Sequence, residues 1–252
     1  ITTYDLSTII NTNPKIFILG ISLLFPILNF YLLFNILTKK FEFKNHQEDI
    51  HIIIIIFILT LLFYFFKIPS HDFVKVFLAI VSSIATSGIT TYSPNFDMSL
   101  FLIILTIIGG SVISTSSGLK YVRFYILLKI SYQEIYRLVK PINVIDKNLF
   151  NTELKINDED LKIAFLVFIL FIISLFILSS ILTLDHLSFE NSFKLSILTL
   201  TNTVTSPLYG LDNLSFFDLN GLTKMSLIIF MIFGKIEILA VLYLIKRFIF
   251  KE

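Results

Sequence analysis

The chain of 252 residues carries a net charge of +2, is 56% hydrophobic and only 15% charged, and has a mean hydropathy of +0.87. This composition excludes an ordinary soluble domain, because its apolar runs reach the length of membrane-spanning helices. The absence of cysteine removes disulfides, thiolate metal sites and cysteine nucleophiles, and no nucleic-acid-binding face is present. We therefore predict an all-α integral membrane protein.

Five apolar runs predict membrane-spanning helices. A span needs about 20 apolar residues, and the shortest run still qualifies because Lys67 at its exit can snorkel to the interface. The predicted spans lie at 16–37, at 52–66, from Met98 onwards, at 163–184 and at 225–245.

The basic residues are distributed unevenly along the chain. Of its 20 Lys and Arg residues, three lie in 38–50, eight in 120–162 and three in 246–252. The positive-inside rule places these segments on the cytoplasmic side. We expect a multi-pass protein of the cytoplasmic (inner) membrane. Each unit would hold two spans, and both ends of the unit would face the cytoplasm.

Two half-polar stretches, 73–92 and 192–206, are too short and too rich in Ser and Thr to cross lipid alone. Each must dip into the membrane from outside and return, which is tolerated only inside protein or beside a water-filled cavity. Ordinary extracellular loops are the alternative, but 77–81 and 195–198 are too apolar for solvated loops. The order of span, re-entrant half-helix, polar turn and span is typical of an ion-selective pore.

A short internal repeat relates residues 1–4 to residues 89–92, and the second copy follows Gly88. Repetition in a membrane protein usually reflects one unit built several times around a centre. On this interpretation the chain starts just behind a glycine that it lacks, as a truncated protein, with a natural half-transporter as the alternative. The predicted units are the end of repeat 2 in 1–50, repeat 3 in 51–160 and repeat 4 in 161–252.

The first candidate site is the end of the first re-entrant stretch, which contains Thr86, Ser87, Gly88 and Ile89. A cation filter needs consecutive backbone carbonyls that point at a dehydrated ion, and glycine adopts the required conformations at low cost. Neighbouring hydroxyl groups can satisfy the freed backbone or add ligands. The pattern therefore predicts a cation-binding filter segment.

The second candidate site is 109–118, which contains three Gly, four Ser and one Thr. Small residues in a span can mean close helix packing, but this many more readily interrupt the helix. Broken helices near the membrane centre are where transporters place gates and binding sites. The predicted gate residues are Gly109, Gly110, Ser111, Ser114, Thr115 and Gly118.

The last predicted span contains two charged residues, Lys235 and Glu237. A lysine near the membrane centre costs about 2.5–3.5 kcal/mol and is a functional candidate for that reason. Residues two apart point to different helix faces, so we expect Lys235 to face a pore and Glu237 to bond neighbouring helices or backbone. The four histidines lie apart, without metal-ligand spacing, and no cofactor is predicted.

Taken in order, these motifs resemble the Trk/Ktr/HKT superfamily of potassium transporters, in particular its TrkH-type members. The gate-like segment and the Lys120 and Arg123 behind it resemble the family's "GGSAGSTAGGIK…R" loop. Other segments match in the same order. They are 27–30 ("GGINF"), 86–89 ("TTGF", the third filter segment), 204–210 ("NIGPGLG", the fourth) and 231–239 ("MLLGRLEIF").

The resemblance implies a fold of four span–pore-helix–span units around a pseudo-fourfold potassium pore, of which this chain is the C-terminal portion. It implies homodimers and a cytoplasmic, nucleotide-binding regulatory subunit of TrkA type, and it implies no enzyme activity. K⁺ is the implied cargo, with Na⁺ as the alternative. The implied filter residues are Thr86, Ser87, Gly88 and Ile89 in one unit and Val204, Thr205 and Ser206 in the next. The residues implied to bind K⁺ are Thr86, Ser87, Gly88, Val204 and Thr205.

Three departures from the family pattern affect the expected function. An alignment through Pro207 and Gly210 puts Ser206 at the fourth filter glycine, and Lys235 replaces the family's pore arginine. The gate loop carries Val112, Ile113 and Ser117 where small residues or glycine are usual. A non-conducting or sodium-permeable subunit is therefore one alternative. A membrane-embedded transferase is another, although the acidic residues are dispersed instead of clustered.

Overall fold

The computed structural model describes residues 10, 12–38, 46–66, 72–91, 99–139, 148–150, 156–211, 216 and 219–236. In these parts the chain forms α-helices and contains no β-strand, which confirms the predicted all-α class. The repeat at residues 1–4, Glu237 and the end of the predicted span 225–245 lie outside the described residues.

The described residues contain nine α-helices and one 3₁₀ turn. In chain order they are α1 (Asn13–Ser22), α2 (Phe30–Leu37), α3 (Gln47–Phe65), α4 (Phe73–Ile84), α5 (Ser99–Ile107), α6 (Tyr121–Val139), α7 (Asp158–Leu184), α8 (Phe189–Leu200) and α9 (Gly221–Ile236), and a 3₁₀ turn spans Pro207–Tyr209.

Two helices, α3 and α7, are long and apolar enough to cross a membrane. The mean hydropathy of their most apolar stretches is 2.2 and 3.0, and only 28% and 39% of those stretches are buried within the protein. Their outer faces carry exposed isoleucine and phenylalanine, including Phe57 and Phe176. Apolar side chains facing outward along a whole helix suit lipid better than water.

The predicted continuous span 16–37 is wrong, because the chain breaks between α1 and α2 at residues 23–29. Pro26 lies in the break, and a proline cannot donate the backbone hydrogen bond that a continuing helix needs. Asn29 then starts α2 by accepting a hydrogen bond from the Tyr31 N–H at 2.8 Å. The break leaves backbone carbonyls free to bond another segment.

The two half-polar stretches form the short helices α4 and α8, and both lie inside the protein. Every residue from Leu78 to Ile84 in α4 and from Lys194 to Leu200 in α8 is buried. Helix α4 packs on α1, α3 and α5, and α8 packs on α5, α7 and α9. Ordinary surface loops at these positions are therefore excluded.

The interruption predicted after Met98 is present: α5 ends at Ile107 and α6 begins at Tyr121. The intervening loop, residues 108–120, is named the hinge loop below. In contrast, α9 is continuous from Gly221 to Ile236. The predicted repeats 51–160 and 161–252 are called the first and second halves below. The first half thus has a helix broken at 108–120, whereas α9 in the second half is unbroken up to Ile236, its last described residue.

The start of α9 is fixed by Asp185, which directly follows α7. Its carboxylate accepts hydrogen bonds from the Asn220 N–H at 2.9 Å and from the Thr223 hydroxyl at 2.8 Å. The Asn220 backbone N–H and the Thr223 hydroxyl hold the pKa of the half-buried Asp185 below its ordinary value. These bonds join the end of the longest helix to the first turn of α9, beside the second re-entrant segment.

Candidate functional site

The two short helices end in the same way, and each leads into an extended segment. The Ser87 N–H donates to the Ser82 carbonyl at 3.0 Å, and the Thr203 N–H donates to the Leu198 carbonyl at 2.8 Å. In each case the bond reaches back five residues around the helix end. Residues 85–90 are named the first segment, and residues 201–206 the second segment.

Each segment makes its first turn through a non-glycine residue in the left-handed backbone region. Thr86 has a φ of 54° and Asn202 has a φ of 52°, and each lies two residues beyond its helix. Asparagine tolerates this region, whereas a β-branched threonine is rarely found there. The shared turn supports the idea that the two halves repeat one structural unit.

This common geometry pairs Gly88 of the first segment with Val204 of the second. Counted from the end of each short helix, both residues are the fourth. The structural register therefore differs by two residues from the sequence alignment through Pro207, which matched Ser206 to the filter glycine. Gly88 has a φ of 69°, and Val204 does not adopt a positive φ.

The two segments touch backbone to backbone at this pair. A Cβ atom added to Gly88 would lie 2.1 Å from the Val204 carbonyl oxygen and 3.0 Å from the Val204 nitrogen. Only glycine permits so close an approach, and its φ of 69° independently favours glycine. Gly88 thus has a steric role as well as a conformational one.

Several carbonyl groups in the segments are left without hydrogen-bond donors. Within the described residues, no donor reaches the carbonyl oxygens of Thr86, Ser87 and Gly88, or those of Val204 and Thr205. The N–H groups of Ser87 and Gly88 are directed back to the Ser82 carbonyl. Carbonyls that are free while their N–H groups are bonded are an arrangement suited to a dehydrated cation.

Buried hydroxyl groups support the segments from behind. The Ser82 hydroxyl, itself buried, donates to the Ile89 carbonyl at 2.7 Å. The Ser83 hydroxyl lies 3.3 Å from the hydroxyl of the fully buried Tyr209, in the 3₁₀ turn that follows the second segment. Polar side chains therefore connect the two halves where the backbone departs from helix geometry.

The hinge loop is closed at its base by backbone hydrogen bonds. The Gly109 N–H donates to the Leu119 carbonyl at 2.7 Å, and the Leu119 N–H donates to the Ile107 carbonyl at 2.9 Å. A Cβ on Gly109 would lie 2.3 Å from the Ser117 carbonyl oxygen, and Gly118 has a φ of 82°. The glycines predicted from sequence thus lie where two stretches of backbone approach each other closely.

The hinge loop fills the break between α1 and α2. The Ser111 N–H donates to the Ile27 carbonyl at 2.9 Å, and the Phe30 N–H donates to the Ile113 carbonyl at 3.1 Å. A Cβ on Gly110 would lie 2.4 Å from the Ile27 oxygen. The two helix breaks therefore satisfy each other's backbone groups, which neither could do in lipid alone.

Two lysines hold the far side of the hinge loop through its carbonyl groups. Lys235 of α9 donates to the Thr115 carbonyl at 2.9 Å. Lys120 donates to the Ser114 carbonyl at 3.0 Å and to the Ser116 carbonyl at 2.9 Å. Lys235 thus reaches the loop predicted to be the gate, and Lys120, matched from sequence to the end of the family's gate-loop motif, bonds two carbonyls of that loop.

An acidic pair at the start of α3 holds the near side of the loop. The Glu48 carboxylate accepts from the Val112 N–H at 3.0 Å, and the buried Asp49 carboxylate accepts from the Asn29 N–H at 2.8 Å. Sequence reasoning assigned these two residues no role in the site. Their adjacency in the first turn of a membrane-length helix was the available signal.

Gly234, next to Lys235, fixes the distance between α8 and α9. A Cβ on Gly234 would lie 1.8 Å from the Leu200 carbonyl oxygen, whereas nothing lies within 4 Å of a Cβ on Gly221. We expect Gly234→Ala to push α9 away from the end of α8 and to lower the Tm of the protein in detergent by several degrees. Gly221→Ala is expected to leave the Tm unchanged. Equal Tm values for the two variants would contradict the close approach.

The atoms of the two segments that could bind a cation are the oxygen atoms of backbone carbonyls and hydroxyl groups. Within the described residues there is no group of three or more His, Cys, Asp or Glu side chains that could hold a metal ion. Backbone carbonyls and hydroxyls suit hard cations held weakly enough to leave again. A helical protein with such segments, two broken helices and lipid-suited outer faces has the architecture typical of membrane transport proteins.

Comparison with known proteins gives this class a narrower definition. The chain is 29% identical over 255 residues to an uncharacterised cation transporter of Methanocaldococcus jannaschii, covering 96% of this chain and 49% of that protein. It is 30% identical over 210 residues to the Trk system potassium uptake protein TrkH of Escherichia coli, covering 79% and 41%. No protein-family model matches.

A solved structure has the same fold. The crystal structure of the potassium transporter TrkH from Vibrio parahaemolyticus matches with a TM-score of 0.80 at 23% identity, over 93% of this chain and 52% of that one. The chain is a TrkH-like member of the Trk superfamily. It spans about half the length of the relatives it matches, and these relatives are transporters and not enzymes, which removes the transferase alternative.

Proposed function

We propose that this chain forms part of a potassium-uptake pathway through the cytoplasmic membrane. The observation that carries the proposal is the contact of Gly88 with the Val204 carbonyl. It joins two segments in which the carbonyls of 86–88 and of 204–205 accept no hydrogen bond from the described part of the chain. The relatives named for potassium uptake support K⁺ as the cargo. Na⁺ permeation is the alternative that the departures from the family pattern favour.

In this proposal the two segments are filter segments. The carbonyls of Thr86, Ser87 and Gly88, together with those of Val204 and Thr205, replace part of the hydration shell of K⁺. The filter residues end at Ile89 within the first segment and at Ser206 in the second segment. The dehydrated ion gains oxygen ligands without a fixed negative charge nearby, so that it binds and also leaves.

The hinge loop would be the gate, since it lies directly under the first segment and is held from both sides. Its conduction-blocking residues would be Gly109, Gly110, Ser111, Ser114, Thr115 and Gly118, as the sequence predicts. Lys235 would act in two ways, because its ammonium group repels a passing cation and also bonds the Thr115 carbonyl. Opening would require that this bond break.

The rest of the assembly follows from the same resemblance. We propose that 1–50, 51–160 and 161–252 contribute to successive span–pore-helix–span units around a pseudo-fourfold pore in a multi-pass inner-membrane protein. The basic segments 38–50, 120–162 and 246–252 would face the cytoplasm. Homodimers and a nucleotide-binding regulatory subunit of TrkA type would complete the system.

Rubidium uptake tests both the cargo and the role of Lys235. The complete protein, reconstituted in vesicles, is expected to take up Rb⁺ in competition with K⁺ more strongly than with Na⁺. Lys235→Ala removes a positive charge and a charge-assisted hydrogen bond, so we expect uptake to rise about fivefold, corresponding to about 1 kcal/mol. Lys235→Arg retains both features and is expected to stay near the parent rate.

The control is Lys224→Ala, which removes a lysine from the opposite end of the same helix. Unchanged uptake in Lys235→Ala would remove the barrier role. An unmodified protein that takes up neither Rb⁺ nor Na⁺ would overturn the proposed function as a whole.

A further inference from the structure

The second residue of the first segment, Thr86, contacts the hinge loop directly. Its hydroxyl accepts a hydrogen bond from the Ser117 N–H at 3.1 Å. Both residues are buried, with exposed fractions of 7% and 4%. A backbone N–H of the loop is therefore paired with a side chain of the segment proposed to bind the ion.

Thr86 is an unexpected residue for its backbone conformation. Its φ of 54° places it in the left-handed region, at the helix end where glycine or asparagine is usual. A β-branched side chain is strained there. The hydrogen bond from Ser117 offsets the strain, so that the conformation of the first segment depends on the position of the loop.

The same stretch of the loop is held from three directions. Lys235 bonds the Thr115 carbonyl, Lys120 bonds the Ser116 carbonyl, and Thr86 accepts from the Ser117 N–H. Because Thr115 and Ser117 are only two residues apart, we expect a displacement of the loop that breaks the Lys235 bond to separate Ser117 from Thr86 as well. The strained turn of the first segment is then free to relax.

The second segment has a matching contact. Asn202, the structural counterpart of Thr86, donates from its side-chain amide to the Met231 carbonyl at 2.9 Å. Met231 lies in α9, one helical turn before Lys235. Thr86 therefore bonds the hinge loop, and Asn202 bonds the helix that carries Lys235.

We propose that Thr86 is a positioning residue that couples occupancy of the filter to the position of the hinge loop. This inference rests on the proposed function. By reciprocity, an ion that stabilises the bonded conformation of the first segment also stabilises the loop, and loop displacement weakens ion binding by the same factor. One buried hydrogen bond accounts for a coupling factor of about three- to tenfold.

Thiol labelling of the loop measures this coupling. The chain has no cysteine, so Ile113→Cys, at an exposed loop position, reports loop exposure in the complete protein once any other cysteine is replaced. We expect K⁺ to slow labelling about three- to tenfold relative to Na⁺. Thr86→Val, which keeps the β-branched shape but loses the acceptor, is expected to abolish the difference, and Thr86→Ser is expected to retain it.

Comparison of Thr86→Val with Thr86→Ser separates coupling from a merely structural role of Thr86. Loss of the ion dependence in both Thr86→Val and Thr86→Ser, or its survival in Thr86→Val, would overturn the proposal. If Thr86→Val does not fold, hydrogen–deuterium exchange of residues 112–119 in the unmodified protein decides the question, because equal exchange in K⁺ and Na⁺ excludes coupling. Uptake with ion-independent labelling refutes the coupling alone, whereas absence of uptake refutes the proposed function.

Discussion

Gly88→Ala is expected to abolish cation uptake while the helices remain folded. The new Cβ would lie 2.1 Å from the Val204 carbonyl oxygen, far inside van der Waals contact. An alanine at a φ of 69° also costs about 1–2 kcal/mol in backbone energy. The two segments must move apart, and the carbonyl groups proposed to bind the ion move with them.

The measurement is Rb⁺ uptake by vesicles that contain equal amounts of folded protein, checked by gel filtration and circular dichroism. Gly221→Ala is the matched control, because nothing lies within 4 Å of a Cβ at that exposed helix start. Uptake above one tenth of the parent rate, taken as about 1.4 kcal/mol, would show that the Gly88–Val204 contact is not needed for conduction.

The order of long and short helices could be predicted from the sequence, because hydropathy and length alone distinguish α3 and α7 from α4 and α8. The hinge loop was predictable for a related reason, since three glycines and four serines in ten residues do not sustain an apolar span. The break at 23–29 was missed because its single proline lies among leucine and isoleucine, which dominate any hydropathy average. Its cause is local, but it persists because the loop at 111–116 supplies bonding partners.

The contacts that hold the loop could not be predicted, because they join distant parts of the chain. Lys235 and Thr115 are 120 residues apart, and Glu48 and Val112 are 64 apart. A sequence shows that a lysine in a span needs a partner, but the packing of helices decides which partner it receives. Thr86 was predicted as an ion ligand, and its bond to Ser117 likewise requires the fold.

The position of the fourth filter glycine shows how sequence and geometry can differ. Pro207 is the conspicuous residue of that region, and alignment on it places Ser206 opposite the glycine. Counting from the ends of α4 and α8 pairs Val204 with Gly88 instead, so the two alignments predict different residues at this position of the proposed filter. Proline fixes only its own φ and that of its neighbourhood, whereas the distance from a helix end fixes where the following carbonyls lie.

Two single substitutions distinguish these positions by their effect on ion selectivity. Val204→Gly would let the second segment adopt the positive φ that Gly88 has and so turn its carbonyl as the first segment does. We expect the ratio of K⁺ to Na⁺ competition against Rb⁺ uptake to rise about tenfold, or about 1.4 kcal/mol. Ser206→Gly is expected to change this ratio by less than about twofold, because the Ser206 carbonyl already accepts the Tyr209 N–H at 3.0 Å.

The reverse outcome, in which Ser206→Gly changes selectivity and Val204→Gly does not, would restore the alignment through Pro207 and refute the register taken from the helix ends. The physical argument favours Val204, since its carbonyl directly contacts the Gly88 backbone and accepts no hydrogen bond within the described residues. In the proposed filter, a valine that keeps an ordinary backbone angle beside a glycine in the left-handed region would make the ring of carbonyl ligands asymmetric. Such asymmetry weakens discrimination by the number and orientation of carbonyl ligands, which is the property that separates K⁺ from Na⁺.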